Sequence, residues 1–183
     1  VLAAGTSMQA EQGIEDSVEA LKNYWLEIGQ GNVNEELVSF IAENSGNTVN
    51  WLKEQGVKFG DVTFSYYYPN QTPYRNHVTE NYAGSDLILP LYEKAQALGV
   101  DIHLETPAVS LINDNGTIKG IIAENKGRKV TINATSTILA TGGYANNEEL
   151  MNEYSPNIKA YGTFLGAAHN GDGLLMAREV GAE

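Results

Sequence analysis

The sequence predicts a mixed α/β fold, and three features of the chain predict it. Residues 108–133 hold three short strand-like runs separated by turn-forming residues, a pattern typical of an antiparallel meander. Residues 16–56 hold two helical patterns with one apolar side each, which indicates a helical hairpin. Residues 136–140 are an apolar run that ends in Thr-Gly-Gly, so we expect a buried strand whose carboxyl end lets another molecule approach its backbone.

Each helix of the hairpin begins at a candidate capping residue and ends at glycine. Asp16 is the candidate N-cap of the first helix, and the second runs from Asn34 to Gly56. The positions that follow helical spacing are Leu21, Trp25 and Ile28 in the first helix and Leu37, Ile41, Thr48 and Leu52 in the second. A third helix is predicted over residues 86–98, with Pro90 in or near its first turn, where a missing N–H costs least.

Between the second and third helices, residues 57–83 are rich in aromatic side chains, which predicts a long irregular loop. The three tyrosines at 66–68 are expected to cover apolar surface where the hairpin packs, in preference to stacking on a ring system. His77 is expected to face solvent from this loop, the alternative being contact with a substrate. After the third helix, residues 100–104 alternate as a short strand does, so His103 is interpreted as structural.

The composition is that of an ordinary globular protein, and it excludes several classes of function. Hydrophobic residues make up 42% and charged residues 19% of the 183 residues. The 11 basic and 23 acidic residues give a formal charge of −12 with no basic cluster, so no nucleic-acid-binding face is expected. The lack of cysteine excludes disulfides and thiolate metal sites within the chain. No apolar run approaches the roughly 20 residues that span a bilayer, so no membrane span is expected, and the cellular compartment stays open.

A second glycine motif, Gly-Asp-Gly at residues 171–173, stands at the mouth of a predicted helix. The unpaired N–H groups of a helix start, together with a carboxylate, can bind a polyol or a phosphate. Asp172 taken alone is more often a helix N-cap, and the two roles can coexist. His169 lies beside this turn and is a weaker candidate for cofactor proximity. In combination with the Thr-Gly-Gly turn and the meander, the motif points to a flavin-binding scaffold.

The order of these motifs resembles the fumarate reductase/succinate dehydrogenase flavoprotein family, especially its soluble fumarate- and urocanate-reductase-like branch. Residues 3–17, 49–57 and 116–121 are similar to the segment after the family's flavin-contacting Gly-Gly, to the helix and turn that follow, and to its meander hairpin. Residues 140–147 and 170–182 complete the likeness, which covers nearly the whole chain. The resemblance implies a partial FAD/NAD(P)-binding dinucleotide domain with a three-stranded antiparallel meander and an inserted helical hairpin.

The same resemblance implies which residues contact FAD. The residues expected where the dinucleotide passes over the backbone are Ala140, Thr141, Gly142 and Gly143. Asp172 should face the ribityl or pyrophosphate region, and main-chain atoms of Ala108 or Val109 should line the adenine. The residues expected near the isoalloxazine are Ala3, Ala4 and Gly5. These three correspond either to the family's own flavin-contacting Ala-Gly-Gly or to the residues just after it.

The activity that the resemblance implies is hydride transfer between flavin N5 and the activated C=C bond of an unsaturated carboxylate such as fumarate or urocanate. An electron-donor domain or protein would supply the electrons. No catalytic residue and no metal site carries over, because the family's catalytic arginines and histidines lie in its capping domain and beyond. The family shows a glycine-rich run after an Arg-x-His. Here Arg75 and His77 are followed by residues 78–84, Val-Thr-Glu-Asn-Tyr-Ala-Gly, which are not glycine-rich. The likeness therefore does not fix the substrate.

The chain is expected to be an internal piece of such a flavoprotein. It starts without Met, shows no targeting segment, and lacks the Gly-x-Gly-x-x-Gly phosphate turn with which these domains begin. We therefore expect residues 1–183 to form one incomplete FAD-binding domain, without the downstream capping and catalytic domain. Such a piece is expected to be inactive alone.

Two alternatives differ from this interpretation. An NAD-linked Rossmann dehydrogenase would need its own Gly-x-Gly-x-x-Gly turn, and the chain has none. The other alternative is a non-enzymatic module that folds without flavin and self-associates through apolar surface. An apolar homo-oligomer detected by light scattering would favour this second alternative.

Overall fold

A computed structural model describes residues 1–64, 73–158 and 169–182, so the tyrosines at 66–68 lie outside the described residues. The chain divides into two compact units, Val1–Ile102 and His103–Glu183. Helices and small antiparallel sheets make up these units, which confirms the mixed α/β class. Within the described ranges, no helix combines the length and the apolar character that crossing a bilayer requires.

In its described residues, the first unit consists of four helices and a two-stranded antiparallel sheet. The helices are α1 (Ser7–Glu11), α2 (Val18–Gly29), α3 (Glu35–Glu54) and α4 (Ser85–Ala97). The strands are β1 (Phe59–Thr63) and β2 (Asn76–Thr79), which pair with a register irregularity between Phe59 and Val62. Helices α2 and α3 pack against each other, which confirms the helical hairpin.

The second unit contains the meander and two described helices. Strands β3 (Ala108–Asp114), β4 (Thr117–Asn125) and β5 (Arg128–Asn133) form an antiparallel sheet in the order β3-β4-β5. Helices α5 (Glu148–Tyr154) and α6 (Asp172–Glu179) follow. Gly120 has a φ of +142°, and a Cβ there would overlap the carbonyl oxygen of Ile132 on the neighbouring strand. Glycine at this position therefore allows β4 and β5 to lie together.

The buried face of α3 consists mainly of small residues. Its buried residues are Ala42, Ser45, Gly46, Val49 and Leu52. Leu37 and Ile41 are 55% and 46% exposed and Thr48 is exposed as well, so the predicted apolar stripe is wrong at every position but Leu52. A close backbone contact explains the small residues in the middle of this face, because a Cβ on Gly46 would lie 2.6 Å from the carbonyl oxygen of Ala4. Only small side chains fit where the amino-terminal segment crosses this helix.

The helix ends agree with the sequence in part. Asn34 caps α3 as predicted, because its Oδ1 accepts a hydrogen bond from Leu37 N at 2.9 Å. Asp16 does not cap α2, since that position belongs to Ser17 and the Asp16 carboxylate binds a distant arginine. Pro90 lies in the second turn of α4, one turn later than its preferred place, where it offers no N–H to the helix.

Three local predictions are wrong, because whether a run of residues forms a strand depends on a second strand to pair with. Residues 57–83 are not one irregular loop, since β1 and β2 pair within this stretch. Residues 100–104 and 136–140 do not form strands, and Leu104 and Ile138 are 67% and 90% exposed. A strand needs a neighbour for its backbone N–H and C=O groups, and the described residues provide none for either run. His103 consequently does not project from a strand.

Candidate functional site

The two glycine motifs of the sequence meet in the second unit. Gly171 N donates to Gly143 O at 3.1 Å, and Gly143 N donates to His169 Nδ1 at 3.1 Å. Asn146 N donates to His169 O at 2.9 Å. Three hydrogen bonds, two of them between backbone groups, thus join the Thr-Gly-Gly turn and the residues just after it to the loop before α6. His169 contacts the turn itself, and its proximity to a cofactor stays a prediction.

Glycine is required at this junction because side chains would not fit. Gly142 has a φ of +76°, and a Cβ there would lie 2.8 Å from His169 Nδ1. A Cβ on Gly173 would overlap Thr141 Oγ1. Residues 140–143 are nevertheless exposed, so the turn has one packed side and one open side. An extended ligand can pass over the open side close to the backbone.

Asp172 is the first residue of α6 and is exposed. The N-cap position is occupied by Gly171, with a φ of +79°, and no side chain makes a capping hydrogen bond there. The alternative that Asp172 is the N-cap is therefore wrong. Its carboxylate stands in the first helical turn and is not used by a cap, so both oxygens can accept hydrogen bonds from hydroxyl groups.

Ala108 and Val109 begin strand β3, against which helix α6 packs. Val109 falls in a register irregularity between Ala108 and Ser110, and it is 45% exposed. Within the described part of the chain, β3 is an edge of the three-stranded sheet. An edge strand offers N–H and C=O groups to a ligand, as main-chain recognition of adenine requires. The adenine contact of these residues stays a prediction.

The predicted isoalloxazine-side residues lie in the first unit. Ala3 and Ala4 are fully buried, and they belong to two different apolar clusters. Gly5 has a φ of +69° and is exposed, and it lines an open pocket of about 550 Å³ together with Thr6 and Gln9. The side chains of Ala3 and Ala4 thus hold the segment in place, whereas the backbone at Gly5 faces solvent.

The backbone of this amino-terminal segment is fixed on two sides. Ala3 N donates to Arg75 O at 3.1 Å, beside strand β2. Ala4 N donates to Ser45 Oγ of helix α3 at 3.3 Å. Because both amides are bound within the protein, the path of residues 2–5 is set by α3 and β2.

Arg75 and Asp16 form a buried ion pair next to this segment. Arg75 Nε and Nη2 donate to Asp16 Oδ2 and Oδ1 at 2.8 and 2.7 Å, and the two side chains are 2% and 0% exposed. Gln9 Nε2 donates to Asp16 Oδ2 at 3.0 Å and to Tyr74 O at 2.9 Å. The guanidinium also lies 5.4 Å from the ring centroid of Tyr24. Removing either charge would leave the other buried and unpaired.

His77 is 1% exposed, so the expectation of a solvent-facing loop histidine is wrong. It belongs to β2, a strand that the aromatic-rich stretch did not suggest. His77 Nδ1 lies 2.9 Å from Arg75 O and, because a carbonyl only accepts, Nδ1 carries the proton. Nε2 lies 2.8 Å from Thr6 Oγ1 and accepts the hydroxyl proton. Burial lowers the pKa of His77 below its ordinary value, which favours this neutral ring.

Sequence reasoning missed this buried network, although two signals for it are present. Thr6 and Gln9 form a capping box at α1, and their Thr-x-x-Gln spacing is readable from the sequence. Arg75 and His77 are two residues apart, as residues on one side of an extended chain are. The partner of Arg75 lies 59 residues away at Asp16, and no local pattern indicates that pairing.

The described residues of the second unit fit a dinucleotide in three respects. The Thr-Gly-Gly turn gives an exposed backbone surface for a phosphate linker. Asp172 gives hydroxyl groups an exposed carboxylate that makes no capping hydrogen bond. The start of β3 gives an edge for a planar base. These donors and acceptors match the chemistry of FAD, in which a polyol and a pyrophosphate join two ring systems.

Comparison with known proteins agrees with this chemistry. Residues 1–183 match the FAD binding domain family. The chain is 32% identical over 182 residues to a probable fumarate reductase of Shewanella frigidimarina, an alignment that covers 98% of this chain and 31% of that protein. It is 30% identical over 184 residues to a urocanate reductase of Eggerthella lenta, with 95% and 29% covered. A solved flavocytochrome c3 fumarate reductase in its open conformation has a TM-score of 0.87 and 32% identity, over 100% of this chain and 33% of that one.

These matches concern one part of larger proteins, since the chain spans about a third of the length of the curated relatives it matches. Its helices and antiparallel sheets match the FAD-binding fold of the fumarate reductase neighbours. FAD is the cofactor of the full-length members of the family. The chain belongs to the FAD binding domain family, together with fumarate reductases and a urocanate reductase.

Proposed function

We propose that this chain is the FAD-binding part of an oxidoreductase that reduces the activated C=C bond of an unsaturated carboxylate. The observation that carries the proposal is the junction in the second unit, where the exposed Thr-Gly-Gly turn lies against the start of α6. The exposed carboxylate of Asp172 stands there and makes no capping hydrogen bond. Relatives named for fumarate and urocanate support the substrate class. Both compounds carry a C=C bond conjugated to a carboxylate.

In this proposal, residues of the second unit hold the dinucleotide by their backbone and one carboxylate. Asp172 accepts hydrogen bonds from hydroxyl groups of the ribityl chain. Gly142 and Gly143 let the pyrophosphate region pass close to the main chain, with Ala140 and Thr141 completing the turn. Main-chain groups of Ala108 or Val109 line the adenine.

In the first unit, Ala3, Ala4 and Gly5 are proposed to pass beside the isoalloxazine. Gly5 is the residue of this set with exposed backbone, so it is assigned the direct contact. Ala3 and Ala4 would act by fixing the path of the chain, because their side chains are 0% and 1% exposed.

When bound, FAD would supply the redox chemistry, namely a hydride for one carbon of the C=C bond, and a proton added at the other carbon would complete the saturated acid. We assign no catalytic residue to this chain. The groups that bind the carboxylate and give the proton are proposed to belong to other parts of a larger protein. Electrons would come from a donor domain or a donor protein, and the 183-residue chain alone would be inactive.

Titration of the purified chain with FAD, followed by flavin fluorescence and visible absorption, tests the binding part of the proposal. We expect saturable binding that weakens about tenfold in Asp172→Ala, because a charged hydrogen-bond acceptor is lost. Glu179→Ala is the matched control, since it removes an exposed carboxylate at the other end of α6 and should not change the affinity. Equal affinities of the two variants would contradict the role of Asp172.

The activity part is tested on the full-length protein that carries this chain. Oxidation of reduced methyl viologen is measured with fumarate, with urocanate, and with their saturated products as controls. We expect turnover with at least one unsaturated acid and none with the saturated ones. If the FAD-loaded protein fails to oxidise the reduced viologen with every unsaturated carboxylate tested, the proposed substrate class is contradicted.

A non-enzymatic, self-associating module is a second candidate, and one observation favours it. Helix α3 exposes a run of large apolar side chains near its start: Leu37, Phe40 and Ile41 are 55%, 63% and 46% exposed. Light scattering of the purified chain tests this candidate. A dimer that Phe40→Glu converts to a monomer, with no flavin bound in either form, would favour the module over the enzyme domain.

A further inference from the structure

We propose that the buried polar network of Thr6, Gln9, Asp16, Arg75 and His77 positions the amino-terminal segment against the flavin. This inference rests on the proposed function, because the flavin is what the segment is proposed to face. The network residues are positioning residues and not catalytic ones. Arg75 and His77 are 2% and 1% exposed, so neither side chain is accessible to a substrate.

The side chains of Ala3 and Ala4 are buried, but Gly5 has no side chain to fix its place. Ala3 and Ala4 have the smallest side chains, and Gly5 at a φ of +69° has no atom within 4 Å of where its Cβ would be. Glycine in this conformation is free to take others, because it lacks the Cβ that restricts φ and ψ. The position of Gly5 therefore depends on the residues on either side of it and on Gly46 of α3, where an added Cβ would lie 3.3 Å from the Gly5 carbonyl oxygen.

Arg75 fixes the residues before Gly5. Its carbonyl oxygen accepts from Ala3 N at 3.1 Å and lies 2.9 Å from His77 Nδ1, which donates to it. Its guanidinium is anchored at the same time by both oxygens of Asp16. Backbone and side chain of one residue thus connect the segment to a buried ion pair.

Thr6 fixes the chain directly after Gly5. Its hydroxyl donates to His77 Nε2 at 2.8 Å and accepts from Gln9 N at 3.1 Å. Its own N–H donates to Gln9 Oε1 at 3.2 Å. Gln9 in turn donates to Asp16, so the contacts before and after Gly5 end on the same carboxylate. The network is therefore a closed ring of contacts that holds the residues on both sides of the exposed glycine.

The test compares Thr6→Val with Thr6→Ser in the FAD-loaded full-length protein. Valine has the shape of threonine without the hydroxyl, whereas serine keeps it. We expect Thr6→Val to lower kcat at least tenfold with KM unchanged and to alter the visible flavin spectrum, because a small misplacement near the reacting atoms slows the chemical step. Thr6→Ser should restore most of the activity. Hydrogen exchange at the Ala3 and Ala4 amides should be faster in Thr6→Val.

Val57→Ala is the matched control, since Val57 is a buried apolar residue of the same unit that lies outside the network. It should lower stability without changing kcat or the spectrum. The inference is overturned if Thr6→Val destabilises the protein as Val57→Ala does and leaves kcat, spectrum and hydrogen exchange unchanged. If Thr6→Val does not fold, His77→Gln removes the donor to the Arg75 carbonyl, and the same fall in kcat is expected. A wild-type protein that binds no FAD would instead refute the proposed function, and the inference with it.

Discussion

The two units hold their predicted cofactor-facing backbone by opposite means. In the first unit, the segment around Gly5 depends on buried charged and polar side chains, centred on Arg75 and Asp16. In the second, the turn at Gly142 depends on backbone hydrogen bonds and on the absence of side chains. The first arrangement is sensitive to loss of a charge, and the second to gain of a methyl group.

Breaking the buried ion pair should have the largest effect. We expect Asp16→Ala to lower the free energy of unfolding by about 3–5 kcal/mol, because Arg75 would remain buried without its counter-charge. Urea denaturation measures this loss. Glu15→Ala, the neighbouring exposed carboxylate, serves as control and should change stability by less than about 0.5 kcal/mol. Similar losses in both variants would mean that the pair does not hold the first unit.

Adding one methyl group should break the second arrangement. Gly142→Ala places a Cβ 2.8 Å from His169 Nδ1 at a φ of +76°, whereas Gly127→Ala has the same backbone strain at +75° with open space around it. Both should lose about 1–2 kcal/mol of stability from strain. Only Gly142→Ala should also weaken FAD binding in a fluorescence titration, because His169 must move. Unchanged FAD affinity in Gly142→Ala would place the cofactor elsewhere.

Acid should weaken the first unit through His77. Burial holds the pKa of His77 below its ordinary value of 6.5, so the unfolded chain binds its proton more tightly than the folded chain does. Its contribution to stability is therefore complete above pH 6.5 and is lost as the pH falls toward the folded-state pKa, by at most about 1.4 kcal/mol per pH unit. The charges of the amino terminus and of Asp16 act in opposite directions on this pKa, the first lowering it and the second raising it.

Urea denaturation at pH 7.5, 6.5 and 5.5 measures this dependence. The slope between the two lower values should become smaller in His77→Gln, which cannot take up the proton. An identical slope in the variant would mean that other groups cause the acid sensitivity.

The smallest expected effect on FAD affinity is that of Asn147, which both caps a helix and contacts the loop before α6. Asn147 and Asn34 each cap a helix, α5 and α3, but Asn147 Nδ2 also donates to Asn170 O in the loop before α6. Substitution of either by Ala should cost about 1 kcal/mol, as the loss of a cap does. Only Asn147→Ala should lower the affinity for FAD, by about twofold to threefold, as fluorescence titration would measure. Equal affinities would restrict the junction to backbone contacts.

The sequence predicted the parts of the fold that local patterns encode. The meander, the helical hairpin and the capping role of Asn34 are confirmed, because alternation, helical spacing and capping each depend on a few neighbouring residues. The two glycine motifs stand out in the sequence, whereas their contact with each other is a finding of the structure. Whether these residues bind FAD stays a prediction.

What the sequence did not predict depends on distant partners. Asp16 looked like a helix cap because its neighbours fit one, but its carboxylate is bound by Arg75, 59 positions along the chain. The run at 136–140 looked like a buried strand, but a strand forms only where another lies beside it. His77 was placed in a loop because β1 and β2 are short and flanked by aromatic and turn-forming residues.

The hydrogen bond from Thr6 to His77 also has an evolutionary consequence. These two residues stand 71 positions apart, and each uses a chemical property that the other needs: one hydroxyl proton and one unprotonated ring nitrogen. Loss of the hydroxyl at position 6 or of the ring at position 77 leaves a buried polar atom without its partner. Substitutions at the two sites should therefore be coupled among homologous domains, with a residue that lacks a hydroxyl rare at position 6 wherever position 77 is histidine.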